Sequence, residues 1–93
     1  MTDGDTDSIR LSLPAEDAMQ PVVEVATGVL GRRVGLSDDE VTAARADVGA
    51  AFGELARHGG DEPVRVEIHP AEGSLDATVT HPAGERHVHA PRR

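Results

Sequence analysis

The stretch Ser37 to His58, S-D-D-E-V-T-A-A-R-A-D-V-G-A-A-F-G-E-L-A-R-H, constrains this chain more than any other, because both ends and one face of a helix are specified in it. Ser37 with Glu40 three residues on has the capping-box pattern, in which each side chain satisfies a backbone donor left open at a helix start. A cap of this kind contributes about 1 kcal/mol. Asp38 and Asp39 place negative charge where the helix dipole is positive, and Gly59-Gly60 supply a left-handed exit. Between these ends, Val41, Ala44, Val48, Ala51, Phe52 and Leu55 recur at three- and four-residue steps, so they share a stripe that must be buried. Phe52 is the only aromatic residue of the Phe, Tyr and Trp class in the chain.

Beside that stripe runs a row of small residues, Thr42, Ala46, Gly49, Gly53 and Ala56. Each interior glycine costs about 1 kcal/mol relative to alanine in a helix, so something should offset the loss. Close approach of a neighbouring helix or strand is the simpler explanation, and a surface shaped for a ligand or partner is the sharper one. Glu40, Asp47, Glu54 and His58 form a polar row, in which Glu54 and His58 are an i,i+4 pair able to interact when the imidazole is protonated.

Ninety-three residues suit one small domain. Seventeen acidic residues against nine arginines and no lysine give a formal charge of −8, which repels nucleic acid and anionic membranes. With no cysteine, disulfides, thiolate metal sites and cysteine nucleophiles are excluded. No apolar run is long enough for a signal peptide or a membrane span, so a cytoplasmic location is expected.

Residues 1–7, with Asp3, Asp5 and Asp7, read as a disordered acidic leader. Ile9, Leu11 and Leu13 alternate with Ser8, Arg10 and Ser12 up to Pro14, which predicts a strand over 8–13. Met19, Val22, Val23, Ala26, Val29 and Leu30 fall on one helical face, predicting a helix over 18–32 with Pro21 in its first turn. Val34-Gly35-Leu36 is an apolar joint leading into the Ser37 cap. Val64, Val66 and Ile68, then Leu75, Ala77 and Val79, alternate on either side of Pro70-Ala71-Glu72-Gly73, so 63–81 reads as a β-hairpin. The expected fold is α+β, two helices on one face of a small antiparallel sheet in the order β-α-α-β-β, with a domain over 8–84. The remaining 85–93 contains Val88 and reads equally as a short edge strand or a loose tail.

The words I-R-L-S-L-P-A at Ile9 to Ala15, G-L-S-D-D-E at Gly35 to Glu40, A-R-H-G at Ala56 to Gly59, and V-R-V-E-I with G-S-L-D-A-T-V in the hairpin resemble the opening half of the histidine-kinase-like ATPase domain. The closest resemblance is to bacterial anti-sigma-factor serine kinases, over roughly residues 8–84. Such domains carry, on the second helix, a glutamate base four residues before an asparagine that holds magnesium, and after the hairpin an aspartate that reads adenine, followed by glycine. Registering on His58 places Ala50 at the base and Glu54 at the asparagine, while His81 and Gly84 stand near the adenine-reading positions. An alanine cannot accept a proton, and one carboxylate alone is a weak magnesium site. The family continues through an ATP lid, a second glycine-rich box and further strands, which are not expected in a chain ending at Arg93. The resemblance therefore implies a relative of these ATPases without catalytic residues, whose vestigial nucleotide-site positions are Ala50, Glu54, His81 and Gly84. The alternative is a working ATP-binding anti-sigma switch.

Other chemistry is sparse. His87 and His89 would share a strand face near His81, a zinc- or nickel-type grouping, but Pro82 and Gly84 intervene, and Arg86, Arg92 and Arg93 would repel a cation. His58 reads as a helix-end cation and His69 as a strand-end polar residue. Ser8, Ser12, Ser37 and Ser74 are explained by strand alternation, a cap and a turn. The reading is a non-catalytic regulatory or protein-interaction domain with no cofactor and no bound metal. Its expected partners are a sigma factor or an antagonist of an anti-sigma factor, and a second copy, paired through the edge of the first strand, the edge the tail leaves open beside the third, or the small-residue row.

Overall fold

The computed structural model describes residues 8–91, so the acidic leader and the last two arginines lie outside the described residues. Strand β1 (Ile9–Leu13) leads through a single 3-10 turn (Asp17–Met19) into helix α1 (Gln20–Arg33) and then helix α2 (Asp38–Ala56). Three consecutive strands follow, β2 (Val64–Ala71), β3 (Ser74–His81) and β4 (Gly84–Pro91). The sheet is antiparallel throughout in the order β1-β2-β3-β4, and both helices lie on one face. This is the expected α+β two-layer arrangement with one strand more, since 84–91 forms a full strand rather than a loose tail. The short dimension of the molecule, 18 Å, is that of one sheet and one helical layer.

The register explains which face is covered. Ile9, Ile68 and Ala77 line up across the sheet, as do Leu11, Val66 and Val79, and these rows face the helices. Against them α2 buries Val41, Ala44, Val48, Ala51, Phe52 and Leu55, the stripe its sequence specifies. Ser37 accepts the Glu40 N–H at 3.2 Å while the Glu40 carboxylate accepts the Ser37 N–H at 2.7 Å, completing the capping box. Gly59 and Gly60 leave the helix with φ of +62° and +89°.

Helix α1 departs from its expected face. Val23 and Leu30 are buried and Met19 and Ala26 half-buried, but Val22, Val25 and Val29 stand 43%, 61% and 48% exposed. Thr27 is buried instead, its hydroxyl donating to the Val23 carbonyl at 2.8 Å, so its polar atom is satisfied inside the helix itself. Part of the small row on α2 meets α1: a Cβ at Gly49 would lie 2.6 Å from the Glu24 carboxylate, and one at Gly53 3.2 Å from the Gln20 amide oxygen, while Thr42 and Ala46 stay exposed. At Gly49 and Gly53 it is thus a helix–helix contact, and there the glycines are occupied within the chain. The joint between the helices is a Schellman motif. Gly35, at φ +86°, and Leu36 donate their N–H groups to Arg32 and Gly31, and Leu36 turns inward. Among the described residues no helix is long and apolar enough to cross a membrane.

Candidate functional site

Three regions of the surface carry chemistry. The first contains the positions singled out by the resemblance. Ala50 and Glu54 are exposed on α2, one turn apart, beside a hollow of about 500 Å³ lined by Asp17, Gln20, Ala50, Gly53, Glu54 and Arg57. The i,i+4 spacing would let Glu54 meet His58, but its side chain is engaged elsewhere. Its carboxylate accepts from Arg86 Nε at 2.9 Å, because Arg86 lies on the helix-facing side of β4, opposite Val79. Both side chains are about half exposed, so this ion pair is worth at most about 1 kcal/mol, but it ties α2 to the last strand.

His81 ends β3 on the same inner face and is buried. Its ring stacks 6.3 Å from that of His58, and its Nδ1 accepts the Ala83 N–H at 3.0 Å. The chain therefore turns from β3 into β4 in two residues, Pro82 and Ala83, with His81 opposite Gly84. Nε2, the nitrogen left to carry the proton, is buried without a partner. The four vestigial positions thus do not line one recess: Ala50 and Glu54 face the hollow beside α2, whereas His81 and Gly84 form the base of a hairpin.

The second region is the open face of the sheet, which carries no helix. Across it run three rows of polar side chains, Ser12-Arg65-Thr80-Glu85, Arg10-Glu67-Thr78-His87 and Ser8-His69-Asp76-His89. A hollow of about 540 Å³ lies over the first two rows, lined in part by Arg10, Ser12, Arg65, Glu67, Thr78 and Thr80. Arg10 Nε donates to Glu67 at 2.8 Å. The histidines on this face each meet a carboxylate: His69 with Glu67 at 3.4 Å, His87 with Glu85 at 2.7 Å and His89 with Asp76 at 2.6 Å. His87 and His89 do share a face, as their spacing implies, but His81 lies on the other side of the sheet. Among the described residues no group of three or more potential ligands is placed to hold a metal ion.

On the same face, Ser8 Oγ lies 2.9 Å from His69 Nδ1 while Glu67 approaches the other ring nitrogen, the order of a hydroxyl, a base and an orienting acid. Sequence reasoning missed this trio, because the pairing of β1 with β2 joins residues 61 apart. Neither Ser8 nor His69 lines the adjoining hollow, and Arg10 takes the same oxygen of Glu67 that faces the ring. What the contacts do is fasten the start of β1 to β2.

The third region is the outward side of α1, where Val22, Val25 and Val29 are exposed. A scan against known protein families and a search of curated proteins each find no match to this chain.

Proposed function

We propose that the protein is a non-catalytic regulatory domain that works by binding other proteins, related in fold to the ATPase domain of anti-sigma-factor kinases. The observation that carries this reading is the two-residue connection from β3 to β4. Where those kinases run into an ATP lid, this chain reverses at Pro82-Ala83 and lays β4 alongside β3, with Arg86 reaching Glu54. Ala50 offers no proton acceptor, Glu54 is engaged by Arg86, and His81 is turned into the protein against His58. Phosphoryl transfer needs a base, a metal and a cover over the phosphates; Ala50 has no group to serve as the first, and the Glu54 and His81 positions are engaged in contacts of other kinds.

A second reading, an ATP-binding switch, is favoured by the hollow beside Ala50 and Glu54, whose one lining cation is Arg57. Heating the protein with and without excess Mg-ATP separates the two. A ligand at a hundredfold its dissociation constant adds about 2.7 kcal/mol. In a domain of this size that raises Tm by roughly 10 °C or more. The expected outcome is no shift, and a clear rise would replace the first reading with the second.

A further inference from the structure

We infer that the outward groove between α1 and α2 is a docking site for an acidic amphipathic helix of a partner protein, whose carboxylates meet Arg32 and Arg45 while its apolar face covers Val22, Val25 and Val29. This deepens the protein-binding reading above and rests on it, naming the surface and the chemistry of the partner.

The exposed side chains of α1 are not scattered. Val22, Val25, Val29 and Arg32 follow one another at steps of three, four and three, and all four are exposed. That is the seam spacing by which one α-helix packs along another. Valine is a poorer helix former than alanine, lysine or glutamate, so three valines on a solvent-facing stripe add neither propensity nor solubility to α1. What they offer is apolar surface in the pattern a second helix needs.

Arginines at one end of the seam supply the charge. Val25, Gly28, Val29, Arg32 and Arg45 line a hollow of about 210 Å³ between the two helices. Because α1 has no side chain at Gly28, the Arg45 stem crosses it there: a Cβ on that glycine would lie 3.3 Å from Arg45 Cδ. Arg45 Nε is buried without a hydrogen-bond partner. Among the described residues neither Arg32 nor Arg45 takes part in an ion pair, in a chain with seventeen acidic residues. A buried guanidinium N–H without an acceptor carries a desolvation cost, which an incoming carboxylate removes through a charge-assisted bond.

The protein's own carboxylates nearby are turned elsewhere. Glu24 faces Gln20 and Gly49, Asp47 lines a hollow beside β4, and Glu54 holds Arg86. The hollow is below the roughly 300 to 1,000 Å³ of small-molecule sites, and has room for a side chain rather than a free ligand. At physiological salt, charges beyond about 8 Å are largely screened, so the distant acidic residues do not cancel attraction at this spot.

A second copy of the chain answers the seam less well. Antiparallel pairing of α1 with itself sets Val25 against Val29 but Arg32 against Val22, which leaves the arginines without acceptors. Parallel pairing sets Arg32 against Arg32. Only a partner that brings carboxylates to one end of its apolar face satisfies both the valines and the arginines.

The test uses the full chain as bait for a display library of random peptides roughly four helical turns long. The expected result is enrichment of sequences with apolar residues at three- and four-residue steps and aspartate or glutamate at one end of that face. Fluorescence anisotropy with a labelled selected peptide then compares variants whose circular dichroism matches the parent. Arg32→Gln and Arg45→Gln should each weaken binding by roughly tenfold or more. Val25→Asp should weaken it as well, whereas Arg65→Gln, which removes an arginine from the open sheet face, should leave it unchanged. Replacing the peptide's carboxylates by amides should cost as much as Arg45→Gln, and little more when the two changes are combined. Selected peptides that lack acidic residues, or whose binding survives Arg32→Gln and Arg45→Gln, overturn this inference and leave the protein-binding reading standing. A library that yields no binder counts against both. Light scattering that shows a dimer abolished by Val25→Asp would assign the seam to a second copy and overturn the inference too.

Discussion

Phe52 is fully buried in the core cluster, and as the chain's one large aromatic side chain it fills volume that no neighbour can supply. Phe52→Ala is expected to cost roughly 3 to 5 kcal/mol. Small domains have only about 5 to 15 kcal/mol in total, so urea melts should find the variant marginal or unfolded. Val48→Ala, which removes less, should cost less. A Phe52→Ala midpoint equivalent to within about 0.5 kcal/mol of the parent would place Phe52 at a surface, since only surface changes are that mild. This residue was legible from sequence because its neighbours at three- and four-residue steps left it one direction to point. Thr27 was not: a hydroxyl in a helix reads as solvated until its bond to the Val23 carbonyl is seen. Nor was Glu54, whose partner Arg86 is 32 residues away and reaches it only because β4 returns beside α2.

At the scale of elements, the two helices meet through glycines, but the contacts differ in kind. A Cβ at Gly31 would lie 3.2 Å from Val41, 3.4 Å from Leu36 and 3.6 Å from Leu75, all buried apolar side chains. One at Gly49 would lie 2.6 Å from the Glu24 carboxylate, 3.0 Å from Glu24 Cγ and 3.1 Å from the Gln20 amide nitrogen, in long side chains that can swing aside. Alanine gains about 1 kcal/mol over glycine in helix propensity at either position. Crowding in the core costs about 1 to 3 kcal/mol. Gly49→Ala is therefore expected to be neutral or stabilising and Gly31→Ala destabilising, and melts that reverse this order would mean that the helices approach differently. The same contrast explains what could be read in advance. Helix α2 announces itself through a cap, a stripe and an exit. Helix α1 has valines on more than one face, and its real contact with α2 is made by small residues that a hydrophobic pattern passes over. Strand β4 was ambiguous because its inward side chains are Arg86, Val88 and Ala90, of which only Val88 and Ala90 are apolar, while its outward side is charged.

For the whole molecule, the order of pairing is the order of the chain except at one place. Two-residue turns join β2 to β3 and β3 to β4, and a short joint links α1 to α2, but Leu13 must find Val64 across both helices. Closing a loop of roughly fifty residues costs on the order of 3 kcal/mol in chain entropy, against far less for the turns. Among the described residues β1 is also bonded on one side only. In hydrogen exchange its amides are expected to lose protection well before those of β3, which is paired on both sides, and equal protection would contradict this order. The candidate site was less legible than the fold for the same reason: its meaning depends on which distant strand lies beside which helix.

That single long closure bears on the history of each molecule as well as on its final shape. A strand that docks last leaves β2 waiting while the rest of the chain is already formed, and during that interval the β1 of a neighbouring chain offers the same side chains in the same register. Folding within one chain and exchange between two then compete for one edge, and protein concentration during folding decides between them. Refolding at high concentration would yield strand-exchanged pairs that dilution releases only as slowly as β1 unfolds.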